Sequence, residues 1–298
     1  MHRDKTLIVA LAGTPADAGL MRYTAMVARQ HGIGKVGFVH VLASSAAAGD
    51  QERVRAELKA QAAPHADGLP ASAHVSYDVL SGPLTDQLLA FVAEKKADIL
   101  LVGHRREIPG RRALARRLAM KAPCSVWVAP DGAPAEVRRI LVPIDFSEHS
   151  ADALRTAVAL AKLGGGAQCV PIHIRFNEAV STYEGYDQVL RGEEEAEYRR
   201  FIAGVDCRGV EMTPLFEEGA NVSQTIRRAA ERVGADLIVM ATRGRSRSSA
   251  ILLGSVTEEL IIETHVPLLA VKHFGARLGV LEALLDKRFL LKGDIHTG

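Results

Sequence analysis

Two glycines, a run of arginines and serines, and the start of a helix stand together between Met240 and Leu260, in MATRGRSRSSAILLGSVTEEL. The spacing is Ala241-x2-Gly244-x9-Gly254-Ser255. Residues of these types in this order suit an anion. Glycine lets a backbone come close to a ligand where a Cβ would obstruct it. A helix start offers N–H groups that have no intrahelical partner, at the end where the helix dipole favours negative charge. Arg243, Arg245 and Arg247 add positive potential, and each charge-assisted hydrogen bond is worth about 1.5–3 kcal/mol. The chemistry this would do is polyphosphate binding. A second reading competes. Ser255-Val-Thr-Glu258 is a capping box, in which Ser255 caps its own helix for about 1 kcal/mol and the arginines are a solvated loop. The loop is not a Walker A sequence, because no Gly-Lys-Ser/Thr is present, and it is not GxGxxG. Glu258 and Glu259 read as capping and surface residues rather than general bases. No catalytic residue is assigned.

Two further groups carry potential chemistry. One is Pro143-Ile144-Asp145-Phe-Ser147, an apolar run ending in a carboxylate, and the other is His173-Ile174. Taken alone, Asp145 or Ser147 caps the following helix. Pro143 marks a strand end, and His173 is a satisfied core histidine. The three cysteines, Cys124, Cys169 and Cys207, fit neither a zinc nor a CxxC spacing. They read as core or surface residues in a reducing cytoplasm, and no protein metal site is expected.

The elements that would position these groups repeat along the chain. Val9 aligns with Val142, His40 with His173, Gly82 with Gly219, Asp98 with Asp236 and Pro123 with Pro267. Such self-similarity is the mark of two copies of one unit, joined by the linker DGAPAEVR. In the second copy, apolar runs predict strands near 139–143, 168–176, 210–216, 235–241 and 268–272. Helical spacing predicts helices over 149–163, 187–203, 221–233 and 255–264. Strands this apolar are buried on both faces, in a parallel sheet covered by helices. Ligands of such sheets sit beyond the carboxyl ends of the strands, and the arginine loop follows the fourth strand to that edge. The chain has 298 residues, nearly half of them hydrophobic, and a formal net charge of only +2. Two domains follow from the length. The charge gives no reason to expect nucleic acid, and no apolar run is long enough to span a membrane.

With these residues in register, the second half resembles the universal stress protein domain. ATP-binding members of that family carry G-x2-G-x9-G-(S/T) after the fourth strand, a first strand ending in P-x-D and a second ending in H-V. The resemblance implies an α/β fold of two Rossmann-like, adenine nucleotide alpha hydrolase-like domains, each a five-stranded parallel sheet flanked by helices. It places a degenerate copy at 1–130, the ATP-binding-type copy at 138–273 and an amphipathic tail at 274–298. Pro143, Ile144 and Asp145 would border adenosine, and the backbone of Ile174 would meet the adenine edge. Ala241, Arg243, Gly244, Arg245, Gly254, Ser255, Val256 and Thr257 would hold the phosphates of ATP (ADP or AMP being the alternatives), with Mg riding on them. Ala241 departs from the family glycine, and a crowded methyl there would cost about 1–3 kcal/mol.

In the first half Pro143-Ile-Asp145 becomes Ala10-Leu11-Ala12, and the loop shortens to Gly103–Gly110 followed by Arg111. That copy is expected to be structural, pairing with the second as a pseudo-dimer through the final strands CSVWVAP and PLLAVK. Trp127 would lie at that interface. The chain as a whole is expected to form a homodimer. The function implied is a cytoplasmic, nucleotide-dependent regulatory module of the stress response. The alternatives are a scaffold without nucleotide and a weak ATP hydrolase. The tail, with Leu278, Leu281, Leu285 and Phe289 on one face, would dock on the body or on a second chain.

Overall fold

A computed structural model describes residues 5–15, 17–30, 32–44, 49–104, 111–134, 136–176, 186–244 and 253–272. The tail at 274–298, Arg105, Arg106, Gly110 and Arg245 lie outside them. The first repeat runs β1 (Lys5–Leu11), α1 (Asp17–Gln30), β2 (Ile33–Leu42), α2 (Asp50–Ala62), β3 (His74–Ser81), α3 (Leu84–Glu94), β4 (Ile99–His104), α4 (Arg111–Lys121) and β5 (Ser125–Pro130). The second runs β6 (Arg139–Ile144), α5 (Glu148–Leu163), β7 (Gln168–Phe176), α6 (Tyr186–Ile202), β8 (Leu215–Gly219), α7 (Val222–Val233), β9 (Leu237–Ala241), α8 (Ser255–Glu263) and β10 (Leu268–Val271).

Each repeat is a parallel five-stranded array, but the two arrays are one sheet. The order is β3-β2-β1-β4-β5-β10-β9-β6-β7-β8. The join is antiparallel, with Val126, Trp127 and Val128 opposite Ala270, Leu269 and Leu268. The expected pairing edges therefore fuse within the chain, and both are consumed there. Because the join reverses strand direction, the carboxyl ends of β1–β5 and of β6–β10 lie at opposite edges of the sheet.

Alternation along the strands builds two cores that each run through both repeats. Leu7, Trp127, Ile140 and Leu269 face one layer with α1 and α5. Ile8, Val126, Ile238 and Ala270 face the other with α3, α4, α7 and α8. Local chemistry sets the helix ends. Ser147 caps α5 by accepting from the N–H of Ser150, and Asn221 caps α7 by accepting from the N–H of Gln224. Gly234 closes α7 in the left-handed conformation, φ 63°, which glycine adopts without a Cβ penalty. The aligned aspartates pin strand starts. Asp98 Oδ2 accepts from Thr6 N at 2.8 Å, and Asp236 Oδ2 accepts from Arg138 N and Arg139 N, each at 2.9 Å.

The seam between repeats is buried and specific. Trp127 is fully buried, stands edge-on to Tyr23 with ring centroids 6.1 Å apart, and donates its Nε1–H to the Tyr23 hydroxyl at 3.2 Å. Lys272 reaches from the end of β10 into the first repeat. Its Nζ donates to the carbonyls of Met120 and Ala122, and its backbone N–H donates to Ser125 Oγ at 3.2 Å. It thereby satisfies carbonyls at the end of α4 that the helix leaves unpaired. Across the same seam Arg116 Nε lies 2.6 Å from Glu258 Oε1.

Trp127→Ala is expected to lower the unfolding free energy by about 3–5 kcal/mol in urea denaturation. Burial lowers the pKa of Lys272 from 10.5 to about 8, so the folded state disfavours its charged form. Below about pH 8 the ammonium is present in both states and the full cost is borne. Between about pH 8 and about pH 10.5 the unfolded chain binds the proton and the folded chain does not, so stability rises with pH. The stability of the wild type minus that of Lys272→Met is therefore expected to increase across this window, by about 3 kcal/mol at most. Urea midpoints at about pH 7.5 and about pH 10 measure it.

Candidate functional site

The crevice of the second repeat opens where β6 and β9 part. Their register ends at Leu141 opposite Ile238, while β6 continues to Ile144 alongside β7. Here the chain order reverses across the sheet, with β7 on one side of β6 and β9 on the other, as ligand crevices of open α/β sheets require. Pro143 lies beyond the last β6–β9 pair. A residue without an N–H is tolerated at such a position.

Asp145 follows directly. Its Oδ1 accepts from Ser147 N at 3.1 Å and from Ser147 Oγ at 2.6 Å. Ser147, not Asp145, is the α5 cap, and Asp145 holds Ser147 in place. Its Oδ2 faces the opposite wall: a Cβ built on Gly244 would come within 2.8 Å of it. The first motif glycine present is thus needed for close approach, and it brings the β9 loop against the carboxylate at the end of β6. Arg243 stands beside it, half-buried, and lowers the pKa of Lys272 electrostatically.

The far side of the crevice is the start of α8. The expected capping box does not form. Helix α8 begins at Ser255 itself, and its N-cap is Gly254 with extended angles (φ −71°, ψ 147°) and no side-chain cap bond. Glu258, instead of reaching back to the cap, reaches across the seam to Arg116. Glu258 N is the first in-helix donor, to Gly254 O at 2.9 Å. The N–H groups of Ser255, Val256 and Thr257 have no acceptor within the helix, as first-turn geometry dictates. The Thr257 side chain is buried and donates to Ala241 O at 3.0 Å, and Gly254 N donates to Thr242 O at 2.7 Å. These two bonds hold the start of α8 to the end of β9. Gly254 differs from Gly244: a Cβ there would meet Thr242 O at 3.5 Å and Thr257 Oγ1 at 3.9 Å, both ordinary contacts. The fold does not demand glycine at 254.

Ala241 closes β9 as a strand residue, paired with Val271, and packs on the α5 side of the sheet. Its methyl costs no backbone strain, since strand angles suit any L-residue. Ile174 pairs with Glu217 across to β8, and its side chain packs on the other face. His173 is structural, as expected of a core histidine. Its Nδ1 bonds Ile144 O at 3.1 Å and its ring lies 4.3 Å from that of Phe146. His40 makes the same bond to Leu11 O at 3.1 Å.

Phe146 was not singled out by the sequence reasoning. It has φ 61°, a conformation that costs a non-glycine residue roughly 1–2 kcal/mol, and its contacts with His173 and Phe201 offset that cost. The repeat alignment held the signal, because its counterpart is Gly13, also left-handed at φ 73°. The first repeat also keeps a carboxylate, though in another place. Asp17, aligned with Ser150, is buried, and its two oxygens accept from Ala12 N at 3.1 Å and Thr14 N at 2.9 Å. Burial pushes the thiols of Cys124 and Cys169 up to about 12, so neither is a nucleophile at neutral pH. Among the described residues, no group of three His, Cys, Asp or Glu side chains is placed to hold a metal ion. No described helix is long and apolar enough to cross a membrane.

A doubly wound sheet built twice, with a glycine-lined crevice and an open helix start in the second copy, defines a tandem α/β protein. The universal stress protein family model matches residues 5–130 and again 136–272, and the chain belongs to that family. A universal stress protein of Methanocaldococcus jannaschii is 30% identical over 141 residues, covering 45% of this chain and 82% of the relative. A universal stress protein E homolog of Haemophilus influenzae is 26% identical over 173 residues, 52% of this chain and 54% of its own length. Among solved structures, a universal stress protein from Archaeoglobus fulgidus superposes with a TM-score of 0.64 at 17% identity, covering 91% of this chain and 97% of that one. One from Pseudomonas aeruginosa gives 0.65 at 16%, covering 90% and 93%. These last two likenesses show the fold.

The two motif glycines are expected to separate on substitution. Gly244→Ala pushes a methyl into Asp145 and should cost about 1–3 kcal/mol, whereas Gly254→Ala should cost about 1 kcal/mol or less. Urea denaturation of both variants checks the order.

Proposed function

We propose that the second repeat binds ATP and that the protein works as a nucleotide-dependent binding module of the cytoplasmic stress response. The observation that carries this reading is Gly254. It is a glycine that the fold does not require, at the open start of a helix, across the crevice from a fixed carboxylate. Space that no side chain of the fold needs, beside first-turn N–H groups, suits a phosphate. Asp145 and the end of β6 would take the adenosine side and Ile174 the base edge. Gly244, Gly254, Ser255 and Val256 would take the phosphates through their main chain, with Arg243 supplying charge. A divalent ion bound with the nucleotide would ride on the phosphates and neutralise them.

The strand conformation of Ala241 favours this reading over a closed, nucleotide-free scaffold. Asp145 is engaged by Ser147 and Glu258 by Arg116, which argues for a binding role over hydrolysis. The intrachain pairing of β5 with β10 uses the edges through which two separate domains would associate, so any homodimer must use another surface.

Titration calorimetry with magnesium and ATP is expected to show saturable binding of one nucleotide per chain. Asp145→Asn keeps an acceptor for Ser147 and removes the charge, and should weaken binding roughly 10- to 150-fold, the equivalent of one charged hydrogen bond. Gly254→Ala should weaken it at least about ten-fold with its urea midpoint nearly unmoved. A flat titration of the wild type at millimolar ATP would sink the proposal.

A further inference from the structure

The carboxyl edge of the first repeat has no part in the nucleotide reading, and a cavity of about 650 Å3 opens there. The cavity lies at the carboxyl ends of β1, β2 and β4, the counterpart of the β6–β9 crevice but at the opposite edge of the sheet. Its chemistry has been replaced. Where the second repeat has Pro143 and Asp145, this cavity has Ala10 and Ala12, and the carboxylate of Asp17 is spent on backbone N–H groups. Where Asn221 caps α7, helix α3 starts after Pro83 with no side-chain cap.

The walls are mixed, with His40, Thr85, Asp86 and Arg117 among apolar side chains. Val41, Val102 and Leu88 line the cavity from the sheet and α3, and Leu114 lines it from α4. Leu84 also lines it and is 43% exposed. Covering Leu84 would remove its apolar surface from water. The volume falls within the range of small-molecule sites.

The charge beside it is asymmetric. Arg117 lines the cavity from α4. Its Nε donates to Ala113 O at 3.2 Å, and among the described residues no carboxylate pairs with its guanidinium. Asp86 lines the cavity as well, but from the first turn of α3, where the helix dipole holds it. An anionic group is therefore favoured on the α4 side.

We propose that the first repeat is a second ligand site, for a single acyl chain whose body fills the cavity between α3 and α4 and whose anionic head seats at Arg117. The site is independent of nucleotide. It gives a use to Arg117 and to Ala10 and Ala12, which stand where the second repeat has Pro143 and Asp145.

Sodium decanoate, below its micellar concentration, is the probe, titrated calorimetrically into the full chain with butyrate and 1-decanol as comparisons. Saturable binding of one decanoate per chain is expected, strengthening about four-fold per added methylene along the series from butyrate. Leu84→Asp, a change at an exposed position, should weaken decanoate at least ten-fold. Arg117→Gln should weaken decanoate several-fold and leave decanol unchanged. Gly254→Ala and saturating ATP should change neither ligand's affinity. Leu114→Gln provides a second wall variant, and urea midpoints confirm that each variant is folded. Non-saturable uptake, displacement of decanoate by ATP, or wild-type affinity in folded Leu84→Asp and Leu114→Gln would overturn the proposal. A failed ATP titration would leave it standing.

Discussion

The antiparallel pairing of β5 with β10 is the constraint on which the rest of the molecule depends. Three facing residues on each side are enough to turn two five-stranded sheets into one. The pairing satisfies two edges that would otherwise present unpaired N–H and C=O groups to solvent. It lets each core layer run unbroken from one repeat into the other. It buries Trp127 against Tyr23 and draws Lys272 and Glu258 across to α4. It also reverses the strand direction, so the two crevices open at opposite edges and cannot share one ligand.

Within that frame the two repeats use one backbone with different side chains. Two residues beyond the first strand of each stands a left-handed residue, Gly13 in one and Phe146 in the other. Each has a histidine bonded to the carbonyl at the end of that strand. The amide two residues before the helix cap position finds Asp17 in the first repeat and the Ser150 hydroxyl in the second. Moving the carboxylate from the strand end to the helix start leaves the fold intact and removes a group from the crevice. Divergence of this kind costs little in stability, because the backbone donors stay satisfied.

Most of the architecture was legible in the sequence because hydrophobic periodicity reports burial directly. The exceptions have local causes. The third strand of the second repeat was expected at 210–216 and is found at Leu215–Gly219, with only a bridge from Cys169 to Met212 before it. Pro214 has no N–H to donate and interrupts the ladder between them. The capping box Ser255–Glu258 failed because Glu258 found a cation in the other repeat. A four-residue pattern carries no information about a partner that lies so far along the chain. The departure at Ala241 was visible in the sequence, but its cost was not, because cost depends on backbone angles and on which face the methyl meets.

The sequence by itself determined the two copies, the parallel order within each, and the family. Those follow from short-range patterns: periodicity, turn residues and the spacing of a motif. Only the tertiary structure decided that the two sheets are one, that Gly244 is glycine because of Asp145, and that Gly254 is free of any such demand. It also decided that the first copy keeps a cavity between α3 and α4. These depend on distances between segments far apart in the chain, and a linear pattern does not contain such distances.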